Sequence, residues 1–139
     1  MPGRNFLQQC LRSAIHFLSG CDISIGAIVP TSTRFPHPTG IVIGDGVRLG
    51  ERVTIYQNVT LGSHGRPGAM PTYPIDDNEY TLCAGCVLIG DITLGKGAIV
   101  GANSVLTQSL DDRQIAVGVP ARVIIAGDQT SADDNVGRS

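Results

Sequence analysis

The chain has 139 residues, enough for one domain, with 42% hydrophobic residues, 4% aromatic residues and no Trp, so its core is built of small aliphatics. The formal net charge is −2, and no basic run interrupts it, which gives nucleic acid or an anionic membrane surface no electrostatic purchase. No stretch approaches the roughly 18 consecutive apolar residues of a membrane helix, and the chain is expected to be cytoplasmic, with Cys10, Cys21, Cys83 and Cys86 as free thiols.

Residues 5–19 place Phe6, Leu7, Cys10, Leu11, Ala14, Ile15 and Leu18 at spacings of three and four. That spacing predicts a helix with one apolar stripe, stopped at Gly20 and capping an open end of the body that follows. Gln8, Gln9, Arg12 and His16 break the continuous apolar run that a signal peptide requires. His16, near the stripe, is read as structural. Residues 1–20 form this first unit.

From residue 21 the pattern changes. Ile23, Val29, Phe35 and Ile41 are six apart; Ile43, Leu49, Ile55 and Leu61 repeat the beat two positions out of phase; Leu82, Leu88, Leu94, Val100 and Leu106 resume it. Gly44, Gly50, Gly62, Gly95 and Gly101 each follow one of these aliphatics. A sustained six-residue period fits neither a helix nor an alternating strand and predicts an all-β parallel β-helix over 21–126, each short strand one face of a coil. The phase break falls in Phe35-Pro-His-Pro-Thr-Gly40, and an off-register coil is where a functional group is expected. A second break, 63–75, is rich in Gly and Pro and predicts a loop protruding from a corner. The coils are expected to run to Leu106, with Val117-Gly-Val-Pro-Ala121 closing the domain and a terminal strand to Ile125. The polar stretch 127–139 is expected to be disordered.

His37, between two prolines at the phase break, has the residue type and fixed backbone of a general base. Asp22 lies fifteen residues earlier, just under one coil of about eighteen, so the two are expected on adjacent coils, where a carboxylate would fix the imidazole tautomer. Cys83 and Cys86 form a C-x-x-C, but a single pair inside the repeat reads as small repeat positions rather than a redox or zinc motif.

His37-Pro-Thr-Gly-Ile-Val-Ile-Gly44, Gln57-Asn-Val-Thr-Leu-Gly62 and Gly118-Val-Pro-Ala-Arg122, in order, resemble the serine O-acetyltransferase branch of the hexapeptide-repeat acyltransferases over about residues 21–125. The resemblance implies a left-handed parallel β-helix, a homotrimer with sites between subunits, acetyl-CoA as acyl donor, and direct transfer to a hydroxyl without a metal or an acyl-enzyme. It assigns the catalytic base to His37 and its carboxylate partner to Asp22. It also implies a pantetheine groove at Gly62, Ser63, Ala84, Gly85 and Ala102, with Arg122 near a CoA phosphate and an oxyanion donor near Gly62 or Ser63.

The chain departs from the family where the acceptor is bound. About twenty residues precede the coils in place of a large helical domain, Pro36 stands where the family has an acid, Thr72-Tyr73-Pro74 replaces Arg-His-Pro, and the terminal Ile is missing. In form the chain resembles the compact polysaccharide O-acetyltransferases, with Tyr73 stacking on a sugar ring and His64 donating to its hydroxyl. The expected acceptor is therefore a saccharide or glycan precursor. L-serine, as in cysteine biosynthesis, is the alternative, and a non-catalytic β-helical scaffold is a reading from another class.

Overall fold

The computed structural model describes residues 6–62 and 79–124. One helix, α1 (Phe6–Ser19), leads into ten short strands: β1 (Asp22–Ile23), β2 (Val42–Ile43), β3 (Thr54–Ile55), β4 (Thr60–Gly62), β5 (Thr81–Leu82), β6 (Val87–Ile89), β7 (Ile99–Val100), β8 (Val105–Leu106), β9 (Ile115–Gly118) and β10 (Ala121–Ile124). One parallel sheet stacks β1-β2-β4-β6-β8; a second has the order β10-β9-β7-β5-β3. Parallel bridges Ile28 to Arg48 and Leu94 to Leu110 mark a third face. The strands are therefore three sides of one coil, repeated along an axis, as the six-residue beat requires.

The stacking register explains the beat. Ile43, Leu61, Leu88 and Leu106 lie one above the other, as do Ile55, Leu82, Val100 and Ala116, and all eight are buried. Each buried Leu or Ile contributes about 1.5–3 kcal/mol relative to exposure. Aliphatic side chains and a few small residues fill most of the interior. Tyr80, the one buried aromatic among the described residues, has its phenol pushed up to about 12 by burial.

The coils are unequal. Val42 pairs with Thr60 and Val87 with Val105, 18 positions on, whereas Asp22 pairs with Val42, 20 positions on. Thr54 pairs with Thr81, 27 positions on, so an excursion interrupts that coil; its residues 63–75 lie outside the described ones. The last coil is short, Leu94 meeting Leu110 and Ile99 meeting Ile115. The repeat thus continues beyond Leu106 through Leu110 and Ala116, correcting the expectation that it stops there. β10 then folds back antiparallel on β9, which ends the parallel ladder with a hairpin.

Helix α1 forms where its apolar spacing predicts. Gly20, at φ 68, ends it, and its N–H donates to the His16 carbonyl at 2.8 Å, because glycine accepts the left-handed conformation without a steric cost. The expected cap is not formed. No residue of α1 is buried, and Phe6, Leu11, Ile15 and Leu18 are 82, 54, 50 and 83% exposed. Polar ties hold the helix instead: the Gly40 N–H donates to the Ser19 carbonyl at 3.1 Å, and Arg12 pairs with Asp22.

Candidate active site

The two extra residues of the first coil can be located by hydrogen bonds. Arg34 is bridged to Thr54, 20 positions on, whereas the Thr39 carbonyl takes the Asn58 N–H at 2.9 Å, 19 positions on and in the 18-residue phase of the next strand. The surplus therefore lies in Pro36-His37-Pro38. This segment bulges from the prism because two prolines supply no N–H to continue a ladder. The three residues are exposed, the Thr39 N–H turns back to the His37 carbonyl at 2.8 Å, and the imidazole lies 6.3 Å from the Tyr56 ring at 43°. Tyr56 was not singled out by the sequence, although it lies one coil beyond His37, and counting coils would have found it.

Below this bulge the corners stack. The Asn58 N–H donates to Thr39, the Gly85 N–H to Gln57 at 2.9 Å, and the Asn103 N–H to Ala84 at 2.9 Å. Thr39–Gly40, Gln57–Asn58, Ala84–Gly85 and Ala102–Asn103 are thus four turns along one edge. His37 stands at the head of the edge, and Ala84, Gly85 and Ala102 continue it over three steps of ~4.8 Å each. Asn58 and Asn103 occupy left-handed conformations, as do Gly40 and Gly85; Asn is the residue after Gly best suited to this.

The two glycines of the edge and Gly62, at the end of β4, differ in what they require. A Cβ on Gly85, at φ 70, would lie 2.3 Å from Asn103 Oδ1, and one on Gly40, at φ 64, 2.3 Å from Asn58 Oδ1. Their own fold demands glycine. A Cβ on Gly62, at the end of β4, would meet nothing within 4 Å among the described residues. Nothing among the described residues demands glycine at Gly62. Arg122, on β10, is exposed and spends one N–H on the Ala121 carbonyl at 3.4 Å. It lies just past the hairpin tip, whose Gly118 N–H is held by Ser104 Oγ at 3.0 Å, two residues beyond Ala102. Ser63, His64 and Tyr73 lie outside the described residues.

Asp22 is one coil away from Ile41, its N–H donating to the Ile41 carbonyl at 2.8 Å. Its carboxylate does not bond to the imidazole. Arg12 Nε and Nη2 both donate to Asp22 Oδ1, at 2.7 and 2.5 Å. No local pattern in the chain points to Arg12 as that neighbour, since the contact depends on how α1 leans on the first coil. His16 is exposed, and with Arg12 and Asp22 it lines a groove of about 520 Å³ between α1 and that coil.

The C-x-x-C is inert in its surroundings. Cys86 is buried, and its thiol is pushed up to about 12 by desolvation and by the neighbouring Cys83. Burial raises Cys83 as well. Thiols held protonated are poor nucleophiles.

No family model matches the chain. Individual relatives do. The chain is 32% identical over 120 residues to the serine acetyltransferase of Bacillus pumilus, covering 86% of this chain and 55% of that protein. It is 34% identical over 122 residues to that of Mycobacterium tuberculosis, covering 88% and 53%. Among solved structures, soybean serine acetyltransferase complexed with serine superposes at a TM-score of 0.77 with 34% identity, over 88% of this chain and 50% of that one. A serine acetyltransferase in complex with CoA superposes at 0.76 with 34% identity, over 87% and 49%. The chain spans about half the length of the curated relatives it matches. The resemblance carried by the three motifs is therefore homology, extending over nearly all the described residues.

These relatives correct the expected acceptor. The saccharide reading and its place in polysaccharide biosynthesis rested on local departures, at Pro36 and Thr72-Tyr73-Pro74, and on the shortness of the segment before the coils. The relatives matched over some 120 residues are named serine acetyltransferases, and one solved relative holds serine. Two local substitutions weigh less than that whole-domain agreement, and where a sequence begins says nothing about its acceptor.

Proposed function

We propose that this homologue of the serine acetyltransferases transfers the acetyl group of acetyl-CoA to the hydroxyl of L-serine, with His37 as general base. The observation that carries the reading is the Pro36-His37-Pro38 bulge. It lifts the His37 imidazole out of the stacked coils, at the head of an edge of small residues, in a chain whose relatives are serine acetyltransferases.

The neutral imidazole takes the proton of the serine hydroxyl as its oxygen attacks the thioester carbonyl, and later returns a proton to the departing thiolate. Bond order balances in one acyl transfer: the new ester C–O bond forms, the thioester C–S bond breaks, and no acyl-enzyme intervenes. Asp22 stabilises the imidazolium that forms, and one of its oxygens, Oδ2, accepts no hydrogen bond among the described residues. Tyr56 packs beside the ring and limits its orientations. Acetyl-CoA supplies the acyl group. Gly62, Ala84, Gly85 and Ala102 line its path, and Arg122 meets a phosphate, a geometry guanidinium suits. The coils are left-handed, and the chain works as a trimer with each site shared between neighbouring copies, as the homology supports. The oxyanion donor of this reading is a backbone N–H near Gly62 or Ser63.

The test is release of CoA from acetyl-CoA on addition of L-serine, comparing the native protein with His37→Ala. Loss of a positioned general base costs about 10²–10⁴-fold. Undiminished transfer by His37→Ala would remove the assignment.

A further inference from the structure

The groove between α1 and the first coil is not accounted for by the base and its donor path. It holds about 520 Å³, and Gln9, Arg12, Ser13, His16 and Asp22 form its polar wall. Arg12 directs two donors, Nε and Nη2, at a single oxygen of Asp22. Its other guanidinium nitrogen, Nη1, and Asp22 Oδ2 make no hydrogen bond among the described residues, and both side chains remain about two-fifths exposed, at 40% and 39%.

A half-used pair of this kind is a poor structural device. An exposed ion pair adds only about 0–1 kcal/mol to stability, and α1 is otherwise unburied. It is a good recognition device. A guanidinium presents five N–H donors in a fixed planar fork, and a second carboxylate can dock on the edge that the first leaves open. The first carboxylate meanwhile holds the guanidinium at a fixed place beside Asp22, the residue proposed to stabilise the His37 imidazolium.

We infer that Arg12 is a specificity-determining residue that binds the carboxylate of the amino-acid acceptor in this groove, while its other edge holds Asp22. The inference rests on the proposed serine acetyltransferase activity and names how the acceptor is recognised. The ligand class is an α-amino acid bearing a side-chain hydroxyl; Ser13 and Gln9 offer further hydrogen bonds along the same wall.

The experiment pairs a change in the protein with a change in the acceptor. Steady-state CoA release is measured with L-serine and with L-serinamide, which lacks the carboxylate, for the native protein, Arg12→Ala and Arg12→Lys. The native protein is expected to prefer L-serine in kcat/KM. Arg12→Ala is expected to reduce that preference about ten- to a hundredfold, the range of one lost hydrogen bond to a charged group, mostly through KM for L-serine. Arg12→Lys, which keeps the charge and loses the fork, falls between. A purely structural Arg12 would lower both acceptors equally and leave the ratio unchanged, and that result overturns the inference while leaving the activity standing. A native protein that releases no CoA with L-serine overturns the activity itself, and this inference with it. Arg12→Lys also answers the question if Arg12→Ala loses α1, which far-UV circular dichroism reports.

Discussion

Gly62 and Gly85 look alike in sequence, each a glycine on the repeat, but they carry different obligations. Gly85 adopts φ 70 and would place a Cβ 2.3 Å from Asn103 Oδ1, whereas a Cβ on Gly62 meets nothing within 4 Å among the described residues. Gly85→Ala is therefore expected to destabilise by about 1–2 kcal/mol, the cost of a left-handed alanine, and Gly62→Ala by less than about 0.5 kcal/mol. Urea unfolding checks both. Gly62→Ala is also expected to raise the KM for acetyl-CoA several-fold, so a small stability effect with a large donor effect marks a residue kept for its ligand. Equal stability costs would contradict the distinction. The bulge that carries His37 was legible because its two prolines and the two-residue phase shift are both written in the chain. Arg12 was not, because its partner ten residues on is set by the angle between a helix and a coil. No local pattern records that angle.

At the scale of elements, the six-residue beat foretold the stacked aliphatic columns, because a repeat whose coils match in length must put the same positions inward. It lost track where coils change length. The last coil runs from Leu94 to Leu110, 16 positions, so Leu110 and Ala116 fell off the beat and β9 was missed. The apolar stripe of α1 correctly gave the helix and wrongly gave its packing, since periodicity identifies a face without naming what covers it. Leu88, buried in the column between Leu61 and Leu106, is expected to cost about 2–5 kcal/mol as Leu88→Ala, read from the shift in urea midpoint. The thiols divide by element as well. Cys10 on α1 is exposed and Cys86 is buried, so a thiol reagent at neutral pH is expected to modify Cys10 quickly and Cys86 only at the rate of unfolding. Rapid native-state labelling of Cys86 would show that the prism opens locally.

The molecule is expected to lose stability as the pH rises into the alkaline range. Burial raises Cys86 from 9.0 to about 12 and Tyr80 from 10.0 to about 12. Both are neutral in the folded state at pH values where the unfolded chain has begun to ionise. Their contribution is complete below about pH 9 and is lost as pH rises towards 12, where proton release favours the unfolded chain. Urea midpoints measured from pH 7 to 11 are expected to fall above pH 9, and to fall less steeply in Cys86→Ala when each series is compared with its own value at pH 7. A flat native profile would contradict the burial of both groups. Assembly belongs to this scale too. Sedimentation is expected to give a trimer, and a monomer that turns over at full rate would show that each site is complete within one chain.

The most direct test of the account is CoA release from acetyl-CoA with L-serine, by the native protein and by His37→Ala at matched concentration. The account predicts saturable, serine-dependent release that falls about 10²–10⁴-fold on loss of the imidazole, with an unchanged unfolding midpoint because His37 is exposed. Release that does not depend on L-serine, or that survives in His37→Ala, would contradict it.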